Sequence, residues 1–367
     1  MKINTKFFIN MGQMKASSDY LHKDNKRMDT TPLVSACCLS YNHCAYIEQT
    51  IKSLWEQNYK NIEIIVLDDG SSDGSVNILN DLKKISPCNM TVIPQQNSGN
   101  IGRNFNILNA AAKGKYIYFT SCDDMICKET ILNAVALMER DDACAFVATS
   151  RNYLLETDTN GVFVKKEDPR ILKGIKTAQD ILNYEYDHLG SFYIQSAVFR
   201  KQTADAVGGF DEDIIGDDIV LRIKIAQYLK NNPPLSFKIL DNFGFCYRLH
   251  TENISRNGLR QVKIVAEVAE RFYPDRPVSL EILRWIKQLF LYLPYEEAFK
   301  AFYINKKTQE AFLNDKMQDF LILFFWKKNK YKLLRLMLTV IVVKFVCLFI
   351  PISKQRKKIR AKYINTL

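Results

Sequence analysis

The strongest constraint on the fold comes from residues 115–124, KYIYFTSCDD. The run YIYF is bounded by Gly114 on one side and by the carboxylates Asp123 and Asp124 on the other, which predicts a buried strand with charge at its C-terminal end. Adjacent acids in such a place are costly unless they meet a cation. Mg²⁺ or Mn²⁺ would suit them because hard cations prefer carboxylate oxygens. A solvated turn or a helix N-cap would also explain the pair.

The same order of strand, polar turn and helix recurs through the first half of the chain. Apolar runs predict further strands at residues 33–39, 62–67, 91–94 and 143–149. Alternation with helices predicts an α/β fold with a Rossmann-like, mostly parallel central sheet flanked by helices. Ligands bind outside the carboxyl ends of such strands, so the polar residues there should share one site. The acids among them are Asp68, Asp69, Asp123 and Asp124.

A second group of candidate residues follows later in the chain. A predicted strand precedes a helix that begins at Asp217 and Asp218. Acids in a first helical turn are favoured by the helix dipole, so capping alone also explains this pair. Two short predicted strands, residues 237–240 and 245–248, then lead to His250, which is either a site residue or a histidine satisfied by its surroundings.

Charge is unevenly distributed along the chain. It holds 51 Lys and Arg against 40 Asp and Glu, but residues 320–367 contain twelve of the basic residues and no acid. A nucleic-acid surface would need basic residues across a recognisable folded module, so we expect no nucleic-acid partner. The nine cysteines are scattered without a C-x-x-C pair, which argues against a disulfide framework or a structural zinc site.

The basic tail is also hydrophobic. Residues 336–352 carry one charge, Lys344, and approach the length of about 20 residues that a spanning helix needs. Basic residues flank both ends, five within 327–335 and six within 354–362. A single spanning helix would place one of these groups on the outer side of the membrane, against the positive-inside preference. An in-plane helix on an anionic membrane surface suits this pattern best. A spanning helix and a buried helix are the alternatives.

This patterning divides the chain into four parts. Residues 1–31 are a polar leader predicted to be flexible, and residues 32–256 hold the α/β domain. Residues 257–319 are predicted to form a helical extension, and residues 320–367 a membrane-associating helical tail.

Several motifs in order carry a family resemblance. They are PLVSACCLSYNH, IEIIVLDDGSSDGS, NSGNIGRN, KYIYFTSCDD and GGFDEDIIGDDIVLRI. Together they resemble the family 2 glycosyltransferases of the GT-A fold, over about residues 32–255. The resemblance implies inverting transfer of a sugar from a nucleoside-diphosphate sugar to an acceptor hydroxyl, with Mn²⁺ or Mg²⁺ as cofactor. A UDP-sugar is the expected donor.

The resemblance also implies roles for donor-binding residues. Asp69 matches the family aspartate that contacts the nucleobase, with Asp68 beside it, and the turn Ser40, Tyr41 and Asn42 is expected at the same donor site. Arg103 resembles the basic residue of the family that lies near the base and the diphosphate.

Metal and catalytic roles follow from the same resemblance. Asp123 and Asp124 match the metal and ribose carboxylates, and His250 resembles a position near the diphosphate or metal. Many members have an acid where this chain has Ser121, which leaves open which of the two aspartates holds the metal. Asp218 matches the general base, while Asp217 replaces a glutamate that is one methylene longer.

Three other functions were weighed. A dehydrogenase needs a glycine-rich turn after its first strand, and this chain has SYNHCAY there. A non-catalytic, membrane-associated sugar-binding or scaffold protein would be consistent with Ser121 and Asp217. A metal-dependent nucleotidyltransferase would release diphosphate instead of a nucleoside diphosphate.

The tail and the resemblance together indicate the acceptor and the location. We expect a lipid-linked saccharide acceptor at the cytoplasmic face of a bacterial inner membrane, where the protein is peripheral. Such an enzyme would build surface polysaccharide, including O-antigen or capsule.

Overall fold

The computed structural model describes residues 31–158, 161–167, 174–250, 253, 257–280 and 282–283. The predicted leader lies outside these residues except for Thr31. The predicted tail, residues 320–367, and residues 336–352 within it also lie outside them. No helix in the described part of the chain combines the length and apolarity needed to cross a membrane.

The described strands form one sheet, with helices on both faces. The strands are β1 (Val34–Ser40), β2 (Ile62–Asp68), β3 (Met90–Pro94), β4 (Tyr116–Ser121), β5 (Met125–Ile126), β6 (Cys144–Asp158), β7 (Gly161–Glu167), β8 (Ala197–Arg200) and β9 (Ser236–Leu249). The helices are α1 (Ile47–Trp55), α2 (Ser75–Lys84), α3 (Ile101–Ala111), α4 (Thr130–Met138), α5 (Ala178–His188), α6 (Lys201–Ala206), α7 (Asp217–Asn231) and α8 (Gly258–Phe272).

The strand order confirms the α/β class and shows a mixed sheet. It runs β3-β2-β1-β4-β8-β6-β9-β5, with β7 paired to β6. The first four strands are parallel, as predicted. Beyond them β8 is antiparallel to both β4 and β6. The regular alternation of strands and helices ends at β6, which turns back through a hairpin into β7 and reverses the chain direction.

Burial on both faces explains why the parallel strands are almost continuously apolar. Tyr116 and Tyr118 of β4 pack into the cluster that includes α1 and α4, while Ile117 and Phe119 pack into the cluster with α3 and α7. All four side chains are essentially inaccessible to solvent. The sheet that carries the predicted site is therefore rigidly packed between two apolar layers.

Three elements differ from the sequence prediction. The central strand, predicted to reach Asp124, ends at Ser121, and the residues after it turn back into β5. β6 continues past the predicted end at residue 149, although Ser150 and Arg151 are polar. The two short strands predicted near the end of the domain are one strand, β9, which pairs with β6 through register shifts.

The domain also extends beyond its predicted end. We predicted a boundary after residue 256, but α8 belongs to the same compact unit as the sheet, which reaches Pro274 and includes Ser279–Ile282. The apolar face of α8 accounts for this, because Ile264 and Val268 are buried in one cluster with Val220 and Ile223 of α7.

Candidate active site

A cavity of about 680 Å³ lies where the carboxyl ends of β1, β2 and β4 face the start of α7. From the strand ends it is lined by Tyr41, Asn42, Asp69, Asp123 and Asp124. From the later part of the chain it is lined by Asp217, Asp218 and His250. Eight of the eleven predicted site residues therefore meet at one place.

The turns after β1 and β2 are tied together at the cavity mouth. Asn42 adopts a left-handed conformation with φ +54°, which asparagine tolerates better than most residues. Its backbone N–H donates to Ser71 Oγ at 2.8 Å, and its Oδ1 accepts from the Ser72 N–H at 3.0 Å. Tyr41 is 47% exposed at this rim. Ser40 is buried and does not line the cavity.

The pair Asp68 and Asp69 divides into a structural and a cavity-lining residue. Asp68 is fully buried and accepts hydrogen bonds from the N–H and hydroxyl of Ser71, which closes the turn. Asp69 lines the cavity and accepts from Gln95 Nε2 at 2.7 Å and from the Ser98 N–H at 2.8 Å. Burial opposes ionisation of Asp69, but these hydrogen bonds hold its pKa below the ordinary value.

Asp124 is locked into the protein. Its Oδ1 accepts from the Arg248 N–H at 3.0 Å and its Oδ2 accepts from Gln195 Nε2 at 3.4 Å. Burial, followed by the charge of Asp123, raises the pKa of Asp124 well above the ordinary value. Its carboxylate oxygens therefore already have partners on β9 and beside β8.

Asp123 is in a different environment from its neighbour. Its Oδ2 lies 3.0 Å from His250 Nε2 and 3.8 Å from His43 Nε2. Burial opposes ionisation, but the hydrogen bond from His250 and the nearby His43 hold the pKa of Asp123 below its ordinary value. The other oxygen, Oδ1, is buried and has no hydrogen-bond partner among the residues that the structure describes. Asp123 thus presents an unused carboxylate oxygen at the cavity.

The described residues contain no group of three or more His, Cys, Asp or Glu side chains arranged to hold a metal ion. The protein would therefore supply only part of a metal coordination shell from these residues. The unpaired Oδ1 of Asp123 and the adjacent His250 fit that partial role, since a buried carboxylate oxygen without a partner is costly. Asp124 fits it less well because both of its oxygens accept hydrogen bonds.

Asp217 and Asp218 form the opposite wall, in the first turn of α7. The Oδ2 atom of Asp218 accepts from Arg222 Nη1 at 2.8 Å, while its side chain stays 42% exposed. Arg222 is buried and also donates to Glu185 Oε1 at 2.7 Å. The other oxygen of Asp218, Oδ1, accepts from the Ile219 N–H at 2.8 Å. Both oxygens of Asp218 are therefore held within α7, while the exposed part of the carboxylate still faces the cavity.

The carboxyl group of Asp217 binds a proton more tightly than an ordinary aspartate does. Burial, followed by the charge of Asp218, raises the pKa of Asp217 to about 7, and the charge of Arg260 acts in the opposite direction. The two adjacent acids therefore differ in environment, as Asp123 and Asp124 do.

The structure does not bring Arg103 into the cavity. This residue lies in the first turn of α3, where its N–H donates to Asn100 Oδ1 and its side chain points to solvent. The preceding residue, Gly102, lies against the backbone oxygen of Asp211. The side of α3 that packs on this neighbouring loop is therefore the side of Gly102 and not that of Arg103. Arg103 is therefore not among the residues that line the cavity, and its role near the diphosphate stays a prediction.

The lining residues that the sequence did not predict include His43, Gln195, Tyr247 and Arg260. His43 and Tyr247 stand beside predicted site residues, in SYNH and YRLH, and these neighbours could have signalled them. Gln195 was placed inside a predicted strand but lies in the short 3-10 helix before β8. Arg260 had no local signal, because only packing of α8 brings it to the cavity.

Comparison with protein families identifies the domain. The profile described as Glycosyl transferase family 2 matches residues 35–204. Residues 35–204, slightly less than half of the chain, therefore match the family 2 glycosyltransferases. Together with the α/β sheet and its flanking helices, the match confirms the GT-A class expected for the glycosyltransferase domain. Asp217, Asp218, His250 and Arg260 lie beyond the matched residues.

Curated relatives are similar over part of their length. The putative teichuronic acid biosynthesis glycosyltransferase TuaG of Bacillus subtilis strain 168 is 35% identical over 130 residues, which are 35% of this chain and 50% of that protein. The minor teichoic acid biosynthesis protein GgaA of the same strain is 29% identical over 178 residues, 47% of this chain and 38% of that protein. The chain therefore spans about half, or less, of these relatives.

Solved structures show a distant similarity. Staphylococcus aureus TarS 1–349, solved in complex with UDP-GlcNAc, is 18% identical with a TM-score of 0.49, and the alignment covers 80% of each chain. The mannosyltransferase PcManGT from Pyrobaculum calidifontis, in complex with GDP-Man and Mn²⁺, is 16% identical with a TM-score of 0.47. That alignment covers 89% of this chain and 95% of PcManGT.

Proposed function

We propose that this protein transfers a sugar from a nucleoside-diphosphate sugar to an acceptor hydroxyl during assembly of bacterial cell-surface polysaccharide. The observation that carries the proposal is the cavity in which Asp69 and Asp123, from the segment that matches the family 2 glycosyltransferases, meet Asp218 from the residues after it. The names of the teichoic and teichuronic acid relatives support the polysaccharide context.

The donor would bind along the strand ends. Tyr41, partly exposed at the rim, and Asp69, held by Gln95 and Ser98, provide an aromatic face and a fixed acceptor for a nucleobase. A UDP-sugar is the first donor to test, because a uracil N–H can donate to such a carboxylate.

A divalent cation would be held by Asp123 and His250, with the diphosphate completing its shell. Mn²⁺ or Mg²⁺ bound there would supply positive charge for the departing diphosphate. Asp124 was predicted as a second ligand. Because it is bound to Arg248 of β9, it would instead hold the backbone in place and so orient the neighbouring Asp123.

Asp218 would act as the general base. It would accept the proton of the acceptor hydroxyl as that oxygen forms a bond to the anomeric carbon and the bond to the diphosphate oxygen breaks. The electron pair of the broken bond leaves with the nucleoside diphosphate, so transfer on one face and departure on the other invert the anomeric centre. Arg222 supports this role because it fixes Asp218 from the buried side.

The acceptor proposed is a lipid-linked saccharide at the cytoplasmic face of the inner membrane, with the protein bound peripherally. The support is the charge pattern of residues 320–367, which would bind anionic lipid beside the acceptor.

A donor screen tests the proposal. UDP-, dTDP- and GDP-sugars are titrated with Mn²⁺ or Mg²⁺ against wild type and Asp218→Asn, and turnover is followed as release of nucleoside diphosphate. We expect one donor to bind to both proteins but to be turned over by wild type alone. An exposed control, Asp142→Asn, should behave as wild type, since the Asp142 side chain is 94% exposed.

The screen also separates the alternatives. Binding without turnover in wild type, with every acceptor tried, would favour a sugar-binding scaffold. Release of inorganic diphosphate would indicate a nucleotidyltransferase. Absence of binding to any nucleotide sugar would refute the proposed function.

A further inference from the structure

Arg260 is a cavity residue to which neither the motifs nor the family match assigns a role. It lies in the first turn of α8 and lines the same cavity as Asp217 and Asp218. It stands 56 residues beyond the end of the matched segment at residue 204. Its position therefore has to be explained by the fold of this chain.

The packing of α8 on α7 fixes the position of Arg260. Ile264 and Val268 are buried against Ile219 and Val220. Gly216, just before Asp217, allows this approach, since a Cβ there would lie 2.9 Å from Ile264 Cγ2. The buried face of α8 thus places Arg260 beside the acid pair.

Polar contacts hold the rest of α8 in the same place. The Ile215 N–H donates to Glu267 Oε2 at 2.9 Å, and Arg271 donates to Asp211 and Asp213 at 3.0 and 2.7 Å. These contacts join α8 to the loop that leads into α7. Arg260 is therefore carried on a helix anchored along its length.

The charge of the cavity is strongly unbalanced. Five carboxyl groups line it: Asp69, Asp123, Asp124, Asp217 and Asp218. Among its described lining residues, Arg260 is the one whose side chain is protonated at every physiological pH. An anionic substrate in this cavity would meet that charge, whereas Arg103, the arginine predicted for the purpose, does not line the cavity.

The guanidinium is also incompletely paired. Nε of Arg260 is buried without a hydrogen-bond partner in the described part of the chain. A buried charged donor without a partner is costly, and such a donor pairs best with phosphate or carboxylate oxygens. Its influence on Asp217, where it opposes the effects of burial and of Asp218 on the pKa, supports its position beside the acid pair.

We infer that Arg260 binds an anionic oxygen of a substrate in the cavity. Two sources share this chemistry: the diphosphate of the donor, and a phosphate or carboxylate group on the acceptor saccharide. The inference rests on the proposed function and deepens it, because the second source would make the acceptor an anionic saccharide.

Calorimetric titration of the full chain distinguishes the two sources. The proteins are wild type, Arg260→Met, Arg260→Lys and the control Arg140→Met. Arg140 is exposed in the turn after α4 and does not line the cavity. Each is titrated with UDP and with uridine in Mn²⁺, and then with glycerol 3-phosphate at saturating UDP.

A donor contact would weaken UDP binding to Arg260→Met by at least about tenfold and leave uridine binding unchanged. An acceptor contact would leave UDP binding unchanged and abolish the binding of glycerol 3-phosphate that wild type shows. In either case Arg260→Lys should keep part of the affinity, and Arg140→Met all of it. Unfolding temperatures of the variants check that the fold is intact.

The inference is overturned if UDP binds equally to wild type and to Arg260→Met, and glycerol 3-phosphate either binds equally to both proteins or binds to neither. Failure of the proposed function looks different. If the proposed function is wrong, wild type binds no nucleotide sugar. If only the inference about Arg260 is wrong, wild type binds the donor and Arg260→Met binds it equally well.

Discussion

Adjacent carboxylates in this cavity acquire different properties from their partners. Asp124 uses both oxygens on Arg248 and Gln195. Asp123 has one oxygen beside His250 and one without a partner. Asp123 and Asp124 are adjacent in the chain, but only Asp123 keeps an oxygen that is free to bind a cation.

Substitution of the two acids should separate these roles. We expect Asp123→Asn to weaken Mn²⁺-dependent UDP binding by at least about tenfold, because the unpaired oxygen and its charge are lost. Asp124→Asn should keep the response to Mn²⁺ and lower the unfolding temperature instead. Titration of UDP in Mn²⁺ and in EDTA measures this. Equal losses of the Mn²⁺ response would contradict the assignment.

Asp217 should make stability depend on pH. Its folded pKa, about 7, lies above the ordinary value of 3.8, so the folded chain holds a proton that the unfolded chain has released. The free energy of unfolding of wild type should therefore fall as pH rises from about 4 to about 7 and level off above that. Asp217→Asn lacks this titration.

Thermal unfolding at two pH values tests this linkage. At pH 8 the melting temperature of Asp217→Asn should exceed that of wild type, and the difference should shrink or reverse towards pH 4. Asp142→Asn, at a 94% exposed position, serves as the control. A difference that stays constant between the two pH values would argue against the raised pKa.

Residue types near strand ends were predictable from the sequence, because a buried apolar run followed by acids fixes where those acids lie. This applies to Asp69, Asp123 and Asp124. Arginine roles were not predictable in the same way. Arg103 and Arg260 both begin helices, and only the packing of α3 and α8 decides that one faces solvent and the other the cavity.

At the scale of elements, a buried ion pair joins α5 to α7. Arg222 and Glu185 have side chains exposed by 2% and 0%, and their atoms Nε and Oε1 lie 2.7 Å apart. Because the same guanidinium also holds Asp218, this contact connects helix packing to the proposed base.

Removal of one partner should be costly. Arg222→Met leaves the Glu185 charge buried and unpaired, so we expect a loss of about 3–5 kcal/mol in the free energy of unfolding. The double variant Arg222→Met with Glu185→Leu should recover much of it. Lys230→Met, at an exposed position of α7, is the control. Denaturant unfolding gives the values, and a loss no larger than that of the control would show that the pair contributes little.

Substitution of Gly216 by alanine tests the contact between α7 and α8. In Gly216→Ala the new methyl group would approach Ile264 Cγ2 to 2.9 Å, and overpacking of this kind costs about 1–3 kcal/mol. Gly190→Ala is the matched control, because a Cβ there meets no atom within 4 Å. Denaturant unfolding should show a loss for the first variant alone. Equal effects would mean that the α7–α8 contact tolerates the added group.

Elements with a regular pattern were predicted well, and irregular ones were not. The four parallel strands follow from their apolar runs. The continuity of β6 and β9 was hidden because register shifts interrupt their pairing and allow polar residues inside strands. The direction of β8 depends on pairing partners that are distant in sequence.

For the whole molecule, the separation of charge is the dominant feature. Residues 320–367 carry twelve basic residues and no acid, and the first 319 residues hold 39 basic and 40 acidic residues. These 48 residues lie outside the described part of the chain, so their association with membranes remains a prediction.

Vesicle sedimentation tests that prediction. We expect the full chain to bind vesicles that contain anionic lipid, with weaker binding in high salt because the charges are screened. Replacement of the five basic residues within 327–335 by glutamine should reduce binding at low salt. Binding that is equal on zwitterionic vesicles and insensitive to salt would contradict an electrostatic surface interaction.

The cavity is built from two successive stretches of the chain. Tyr41, Asp69 and Asp123 lie within the matched residues 35–204, whereas Asp218 and Arg260 come from the residues after them. Exchange of the later stretch between related genes would therefore replace one wall of the cavity and keep the other. The residues proposed to bind the donor and the residue proposed as the base therefore reach the cavity from consecutive stretches of the chain.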